Sequence, residues 1–212
     1  MKIIDLECGP LGTMCYLIID SSNNAVLIDA APDSFVEVMQ ACKRENAKLQ
    51  AVLLTHTHWD HTTDARLFQS EMNAQIYVNQ GDEYRILNPM ENTLMKLPFE
   101  ILPCKADKYF SDGDELQFGE IKFRIITTPG HTEGGVCVIL DSDKSVFVGD
   151  TLFQDSVGRT DLPGGDYAKL KNSIITKLYQ LPDDYTVFPG HGDSSTIGYE
   201  KHNNSYIRVP MN

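Results

Sequence analysis

The chain has 212 residues, 42% of them hydrophobic, with a formal net charge of −12 and five cysteines. That length and apolar content suffice for a large core in one α/β domain spanning residues 1–212, without disulfide staples. The acidic balance argues against a nucleic-acid partner, which needs clustered Lys and Arg, and no stretch of about 18 apolar residues offers a membrane span.

Residues 3–8, 14–20 and 25–29 read as short strands, the last two joined as a hairpin by the turn signal Ser21-Ser22-Asn23-Asn24. Asp5 and Glu7 interrupt any apolar region of a signal peptide. Asp33 or Ser34 is expected to cap a helix reaching about Asn46, with Phe35, Val38, Met39 and Cys42 on one face. Ala51-Val52-Leu53-Leu54 is a continuous apolar strand, buried on both faces. A helix over about 61–70 and a strand over 75–78 follow. Between Gly81 and Cys104 the prolines at 89, 98 and 103 predict short helices and a loop, placed either as a lid or as a surface connection. Strands return at 115–118, 121–127, 136–140 and 145–148, with a tight turn at Gly119-Glu120. Residues 167–178 form an amphipathic helix through Leu170, Ile174, Ile175 and Leu178; 186–188 is a short strand, and a last helix runs from Ile197 to about Ser205. No internal repeat is evident. The elements fall into two similar halves, which predicts two sheets packed face to face with helices outside.

The histidines carry the chemistry. Five of the six fall in three loop motifs: Thr55-His56-Thr57-His58-Trp59-Asp60-His61, Thr128-Pro129-Gly130-His131-Thr132, and Phe188-Pro189-Gly190-His191-Gly192. Neutral imidazole is the commonest metal-ligating side chain. In an extended loop, positions i, i+2 and i+4 face one way, so His56, His58 and Asp60 are expected to converge, while His61 begins a helix and turns elsewhere. Two metals about 3.5–4 Å apart need an anionic bridge. Asp150, presented by Gly149 at the end of the strand Val146-Phe147-Val148, is the natural one. His202 matches no motif and reads as a surface or packing histidine. The cysteines (Cys8, Cys15, Cys42, Cys104, Cys137) are odd in number and outside every motif. They predict reduced, mostly buried thiols in a cytoplasmic protein.

Taken together, these motifs resemble those of the metallo-β-lactamase-fold hydrolases, and within them the glyoxalase II (hydroxyacylglutathione hydrolase) branch in its short bacterial form. The resemblance runs from the first hairpin to the last histidine loop. It implies a four-layer αββα sandwich of mixed α/β (α+β) class, with two divalent metal ions, zinc by preference and iron or manganese as alternatives, at one edge of the sheets. It implies His56, His58 and His131 on one metal, Asp60, His61 and His191 on the other, and Asp150 between them. The true β-lactamases of this fold commonly have cysteine at the position of Asp150. Full-length glyoxalase II holds glutathione with a Gly-Lys-x-Tyr stretch where this chain has Gly158-Arg159-Thr160-Asp161. Gly158 and Arg159 fit that pattern and Asp161 does not. A tyrosine usually follows the last ligand loop, but Gly192-Asp193 stands there. The 21 residues after His191 offer no counterpart to the family's C-terminal helical domain.

The resemblance implies hydrolysis of small-molecule thioesters like S-lactoylglutathione, by a hydroxide formed between the two metals. Asp60 serves as ligand and proton acceptor. Arg159 is a candidate anchor for a substrate carboxylate, or a partner of Asp161. Persulfide dioxygenases share the fold and a Gly-Arg-Thr-Asp segment, and would hold one iron on His56, His131 and Asp150. Lactone and phosphoester hydrolases and a non-enzymatic metal-binding protein complete the alternatives. The sequence carries no signal for an oligomeric state.

Overall fold

The structure is a computed structural model that describes residues 1–93 and 95–209. In chain order the elements are β1 (Lys2–Cys8), β2 (Thr13–Ile19), β3 (Asn24–Ile28), α1 (Ser34–Glu45), β4 (Lys48–Leu53), α2 (Trp59–Thr62), α3 (Ala65–Glu71), β5 (Gln75–Asn79), α4 (Glu83–Leu87), α5 (Pro89–Asn92), β6 (Lys108–Phe110), β7 (Glu115–Phe118), β8 (Ile121–Thr127), β9 (Val136–Leu140), β10 (Ser145–Gly149), β11 (Leu152–Phe153), β12 (Ser156–Val157), α6 (Tyr167–Thr176), β13 (Thr186–Pro189), β14 (Ser195–Thr196) and α7 (Ile197–Asn203). One sheet has the order β1-β2-β3-β4-β5-β6 and the second β14-β13-β10-β9-β8-β7.

The period-2 alternation of side chains decides the layering. In β2, Cys15, Leu17 and Ile19 enter one apolar cluster, while Tyr16 and Ile18 enter another. In β9, Val136, Val138 and Leu140 join that second cluster, whereas Cys137 and Ile139 face a third. The middle cluster is the interface between the sheets. The first lies under α1 and α3 through Val38, Ala41 and Phe68, and the third under α6 and α7 through Leu170, Ile174 and Ile197. Three apolar seams between four layers make the αββα sandwich that the sequence predicts. They also explain why the central strands are apolar on both faces, as Ala51 to Leu54 are.

Local details differ from expectation for identifiable reasons. Neither Asp33 nor Ser34 caps α1: Asp33 sits at the N-cap with φ 68° and an unbonded side chain. Asp64 caps instead, its Oδ2 accepting from Phe35 N–H at 2.9 Å. Met39 is 44% exposed, and the buried stripe of α1 is Ser34, Val38, Ala41 and Cys42. The single helix expected over 61–70 is split into α2 and α3. Ala30 takes the bonds that would have continued it, its N–H donating to His61 O and its carbonyl accepting from Asp64 N–H. The helix expected over 167–178 ends at Thr176, and a 3₁₀ turn over Leu178–Gln180 keeps Leu178 buried. Strands β6, β11, β12 and β14, of two or three residues, are too short to show periodicity in sequence.

Burial raises the Asp64 carboxyl to about 6. Its folded-state value lies above its ordinary one. Its contribution to stability is therefore complete below about pH 4 and is lost as the pH rises through about 6. Asp64→Asn keeps an acceptor for Phe35 and removes the titration. The difference in Tm, variant minus parent, should grow between about pH 4 and about pH 7; a constant difference would count against this account of the cap.

Candidate metal centre

Five strand ends deliver the candidate side chains to one rim of the sandwich. β3 ends in Asp29, β4 runs into the His56–His61 loop, β8 into His131, β10 into Asp150 and β13 into His191. The rim is closed across the two sheets by Met14 N–H donating to Gly190 O at 2.8 Å and by the Tyr16 hydroxyl donating to Pro189 O at 2.6 Å. Two glycines let the loops come this close. Gly149 adopts φ 49°, and a Cβ there would collide with the Thr55 hydroxyl; a Cβ on Gly190 would strike Asp150 Oδ1 and the His61 ring.

Three sets of ligand atoms cluster within 4.8 Å: His56, His58 and His131; His56, His61 and Asp150; and Asp60, His61 and His191. His58 Nδ1 lies 2.9 Å from His131 Nε2. Asp60 Oδ2 is 3.2 Å from His191 Nε2 and 3.6 Å from His61 Nε2. Asp150 lies between the groups, with Oδ1 3.3 Å from His61 Nε2 and Oδ2 3.5 Å from His131 Nε2 and 3.7 Å from His191 Nε2.

Four of the five imidazoles are anchored from behind. His61 Nδ1 is 2.8 Å from Asp29 Oδ2, His131 Nδ1 is 2.7 Å from Arg159 O, and His191 Nδ1 is 3.2 Å from Leu11 O. Carboxylate and carbonyl oxygens only accept, so each Nδ1 is the donor. The Thr55 hydroxyl spends its hydrogen on Asp29 Oδ2 at 2.8 Å and therefore accepts from His56 Nδ1 at 3.2 Å. All four rings thus turn Nε2 inward, the arrangement by which outer partners orient metal-ligating histidines. Two inward atoms, His56 Nε2 and Asp150 Oδ1, are buried with no hydrogen-bond partner. Such orphans are rare in native proteins, and a cation satisfies both. The donor set therefore fits a pair of divalent metal ions.

The charges point the same way. Burial, and then the neighbouring histidines, push His56 well below its ordinary range and His58 down to about 3. Burial opposes charge on His61 too, but Asp150, Asp60 and Asp29 outweigh it and hold that ring protonated. Burial likewise opposes ionisation of Asp150 and Asp60, yet His61 and its neighbours keep both low. The site thus presents buried carboxylates beside the neutral imidazoles of His56 and His58 and a His61 proton that a metal would replace, which is metal-ligand chemistry.

A cavity of about 400 Å³ opens on these groups, with an apolar wall that includes Trp59, Met95 and Leu162. The 81–104 segment contributes Tyr84, Arg85, Pro89 and Met95 to this wall. It is anchored by buried Ile86, Ile101 and Cys104, the last donating its N–H to Ile86 O at 2.9 Å. Of the two placements expected for it, as a lid or as a surface connection, its described residues take a place over the site, lining the cavity. Arg159 also lines the cavity, and its guanidinium is engaged bidentately with Asp161, Nε to Oδ1 and Nη2 to Oδ2, both at 2.7 Å.

All seven residues of the sequence pattern come together. One expectation fails: Asp60 does not converge with His56 and His58 but joins His61 and His191. The extended alternation stops at Trp59, where α2 begins, and His61 is the third residue of that helix rather than its start. Sequence reasoning missed Asp29, Thr13, whose hydroxyl lies 3.4 Å from Asp60 Oδ2, and the Asp82–Arg85 pair. Asp29 did carry a signal, an acid closing the apolar run Ala25 to Ile28 just as Asp150 closes Val146 to Val148. The five cysteines are free and buried, and His202 is exposed. Among the described residues no helix is long and apolar enough to cross a membrane.

Comparison with known proteins gives a consistent picture. The profile of the Metallo-beta-lactamase superfamily matches residues 8–191. The chain is 36% identical over 196 residues to the hydroxyacylglutathione hydrolase GloC of Haemophilus influenzae, covering 91% of this chain and 92% of that one. Among solved structures it resembles the BLEG-1 B3 metallo-beta-lactamase with a TM-score of 0.91 at 31% identity, over 97% of this chain and 99% of that one. It also resembles ETHE1 from Myxococcus xanthus, with a TM-score of 0.81 at 27% identity over 98% and 84% of the two chains.

Proposed function

Because this chain belongs to the Metallo-beta-lactamase superfamily, whose fold and metal-ligand cluster it carries, we propose that it hydrolyses thioesters, with S-lactoylglutathione the first substrate to test. The observation that carries this reading is the convergence of five histidines and two aspartates, with four imidazoles locked to present Nε2. His56, His58 and His131 would hold one divalent ion, Asp60, His61 and His191 a second, and Asp150 both. Such ions supply a water acidified toward neutrality and a Lewis acid for the carbonyl oxygen.

The chain's own residues do the rest. The apolar wall at Trp59, Met95 and Leu162 holds the substrate's non-polar part and keeps bulk water from the reacting carbonyl. Asp60 is ionised, and its Oδ2 faces the cavity side by side with His191 Nε2. It is placed to take a proton from the attacking water as the new C–O bond forms. The C–S bond then breaks, giving a carboxylate and a thiol. A thiol of pKa about 8.5 leaves without much acid assistance. Arg159 is the anchor for a substrate carboxylate at the mouth, exchanging Asp161 for the ligand; both groups are solvent-exposed, so the exchange is cheap.

Sulfur oxidation is the second reading, supported by the likeness to ETHE1. The complete Asp60, His61 and His191 cluster favours the two-metal hydrolase over it. Metal analysis of protein purified without added metal, run beside thioester, persulfide and β-lactam assays, decides. Two metals per chain with thiol release support the proposal. One iron with oxygen consumption on a persulfide, or lactam opening without thioester cleavage, would replace it.

A further inference from the structure

Asp82 opens the wall segment and is fully buried. A buried carboxylate is tolerated only when paired and hydrogen-bonded, and the partners of this one are distributed in an unusual way. Its Oδ2 accepts from the Thr132 hydroxyl at 2.7 Å, and its Oδ1 from Gly134 N–H at 2.6 Å and from Arg85 Nη1 at 3.0 Å. Its backbone carbonyl accepts from the Thr57 hydroxyl at 2.7 Å. Thr57 stands between His56 and His58, and Thr132 follows His131. One residue therefore grips both loops that deliver the His56, His58 and His131 group. Gly134 lets this grip close, since a Cβ there would meet the Asp82 amide at 2.7 Å and its carboxyl at 2.8 Å. Arg85 extends the grip through Nη2, which donates to Glu133 Oε2 at 2.6 Å and to Pro163 O at 3.0 Å. That second bond reaches the loop whose Arg159 carbonyl orients His131.

None of these bonds touches the other group. Asp60, His61 and His191 are held by Thr13, Asp29 and the Leu11 carbonyl. We propose that Asp82 is a positioning residue for one half of the centre: it sets the spacing of His56, His58 and His131 and hence the metal affinity of that half alone. This rests on the two-metal reading above.

The test measures zinc affinity by chelator competition in two backgrounds. His191→Ala leaves the first group intact, and His58→Ala leaves the second. Adding Asp82→Asn should weaken zinc binding about 10- to 100-fold in the His191→Ala background. In the His58→Ala background the change should stay within about twofold. Thr132→Val, a smaller change, should reproduce the selective loss, and Thr132→Ser should restore affinity by returning the hydroxyl. Equal losses in both backgrounds, or no loss in either, would overturn the inference and leave Asp82 as a general staple of the fold. If neither parent background binds zinc, the two-metal reading fails, and the inference fails with it.

Discussion

Asp150→Ala should leave the protein folded, unable to retain a full metal complement, and slower by at least about 1,000-fold, the scale expected when an activated water is lost. The reason is position. Asp150 is the one carboxylate whose two oxygens face both halves, Oδ1 toward His61 and Oδ2 toward His131 and His191. Its Oδ1 has no hydrogen-bond partner within the protein, and the His61 ring that it faces keeps Asp29 on Nδ1 and Asp60 beside Nε2, so removing the side chain leaves no donor without another acceptor. The fold should therefore survive. Metal content by elemental analysis, thermal melting and thiol release on one preparation check all three points. A variant with two metals and parental turnover would remove Asp150 from the centre.

Asp29→Ala should do the opposite, damaging the fold as well as the site. Asp29 is 1% exposed and accepts from Thr55 N–H at 2.7 Å, from the Thr55 hydroxyl at 2.8 Å and from His61 Nδ1 at 2.8 Å. Truncation strands these donors in a dry interior, including the ring it helps to keep charged. The expected loss of stability is about 3–5 kcal/mol, with metal affinity falling about 10- to 100-fold. Asp29→Asn is the sharper variant. With its amide nitrogen at the Oδ2 position it offers a hydrogen where His61 Nδ1 already has one, so Nδ1 must lose its proton and the ring is left as the tautomer whose only N–H, on Nε2, faces Asp150. Stability should partly recover while metal affinity stays low. Denaturant unfolding and chelator competition separate the two effects, and equal behaviour of the alanine and asparagine variants would contradict the tautomer argument.

The layers and the seven candidate ligands were legible because both are written locally. A strand buried on both faces is a short apolar run, and two ligand loops follow one directly, at Leu54 before His56 and at Val148 before Asp150; the loops of His131 and His191 follow alternating strands and are marked by Pro-Gly-His. What was not legible depends on contacts between distant segments. Asp64 caps a helix 29 positions earlier, Asp29 meets a ring 32 positions later, and Asp82 joins Thr57, 25 positions before it, to Thr132, 50 positions after it. Nothing in the neighbouring sequence marks Asp64 and Asp82 as different from surface acids, and Asp29 shows only that it closes the apolar run Ala25 to Ile28. The extended alternation put Asp60 on the wrong side, whereas the family resemblance grouped it with His61 and His191; the alternation breaks at α2, which begins at Trp59 and is ended by bonds to Ala30, outside the motif. Arg159 was legible as an arginine at the site.

The central claim, a two-metal thioesterase, is tested most directly by titrating metal-free protein with zinc while following thiol release from S-lactoylglutathione. The rate should climb with added metal and level off at two equivalents per chain. A plateau at one equivalent, or no thiol released at any loading, would contradict it.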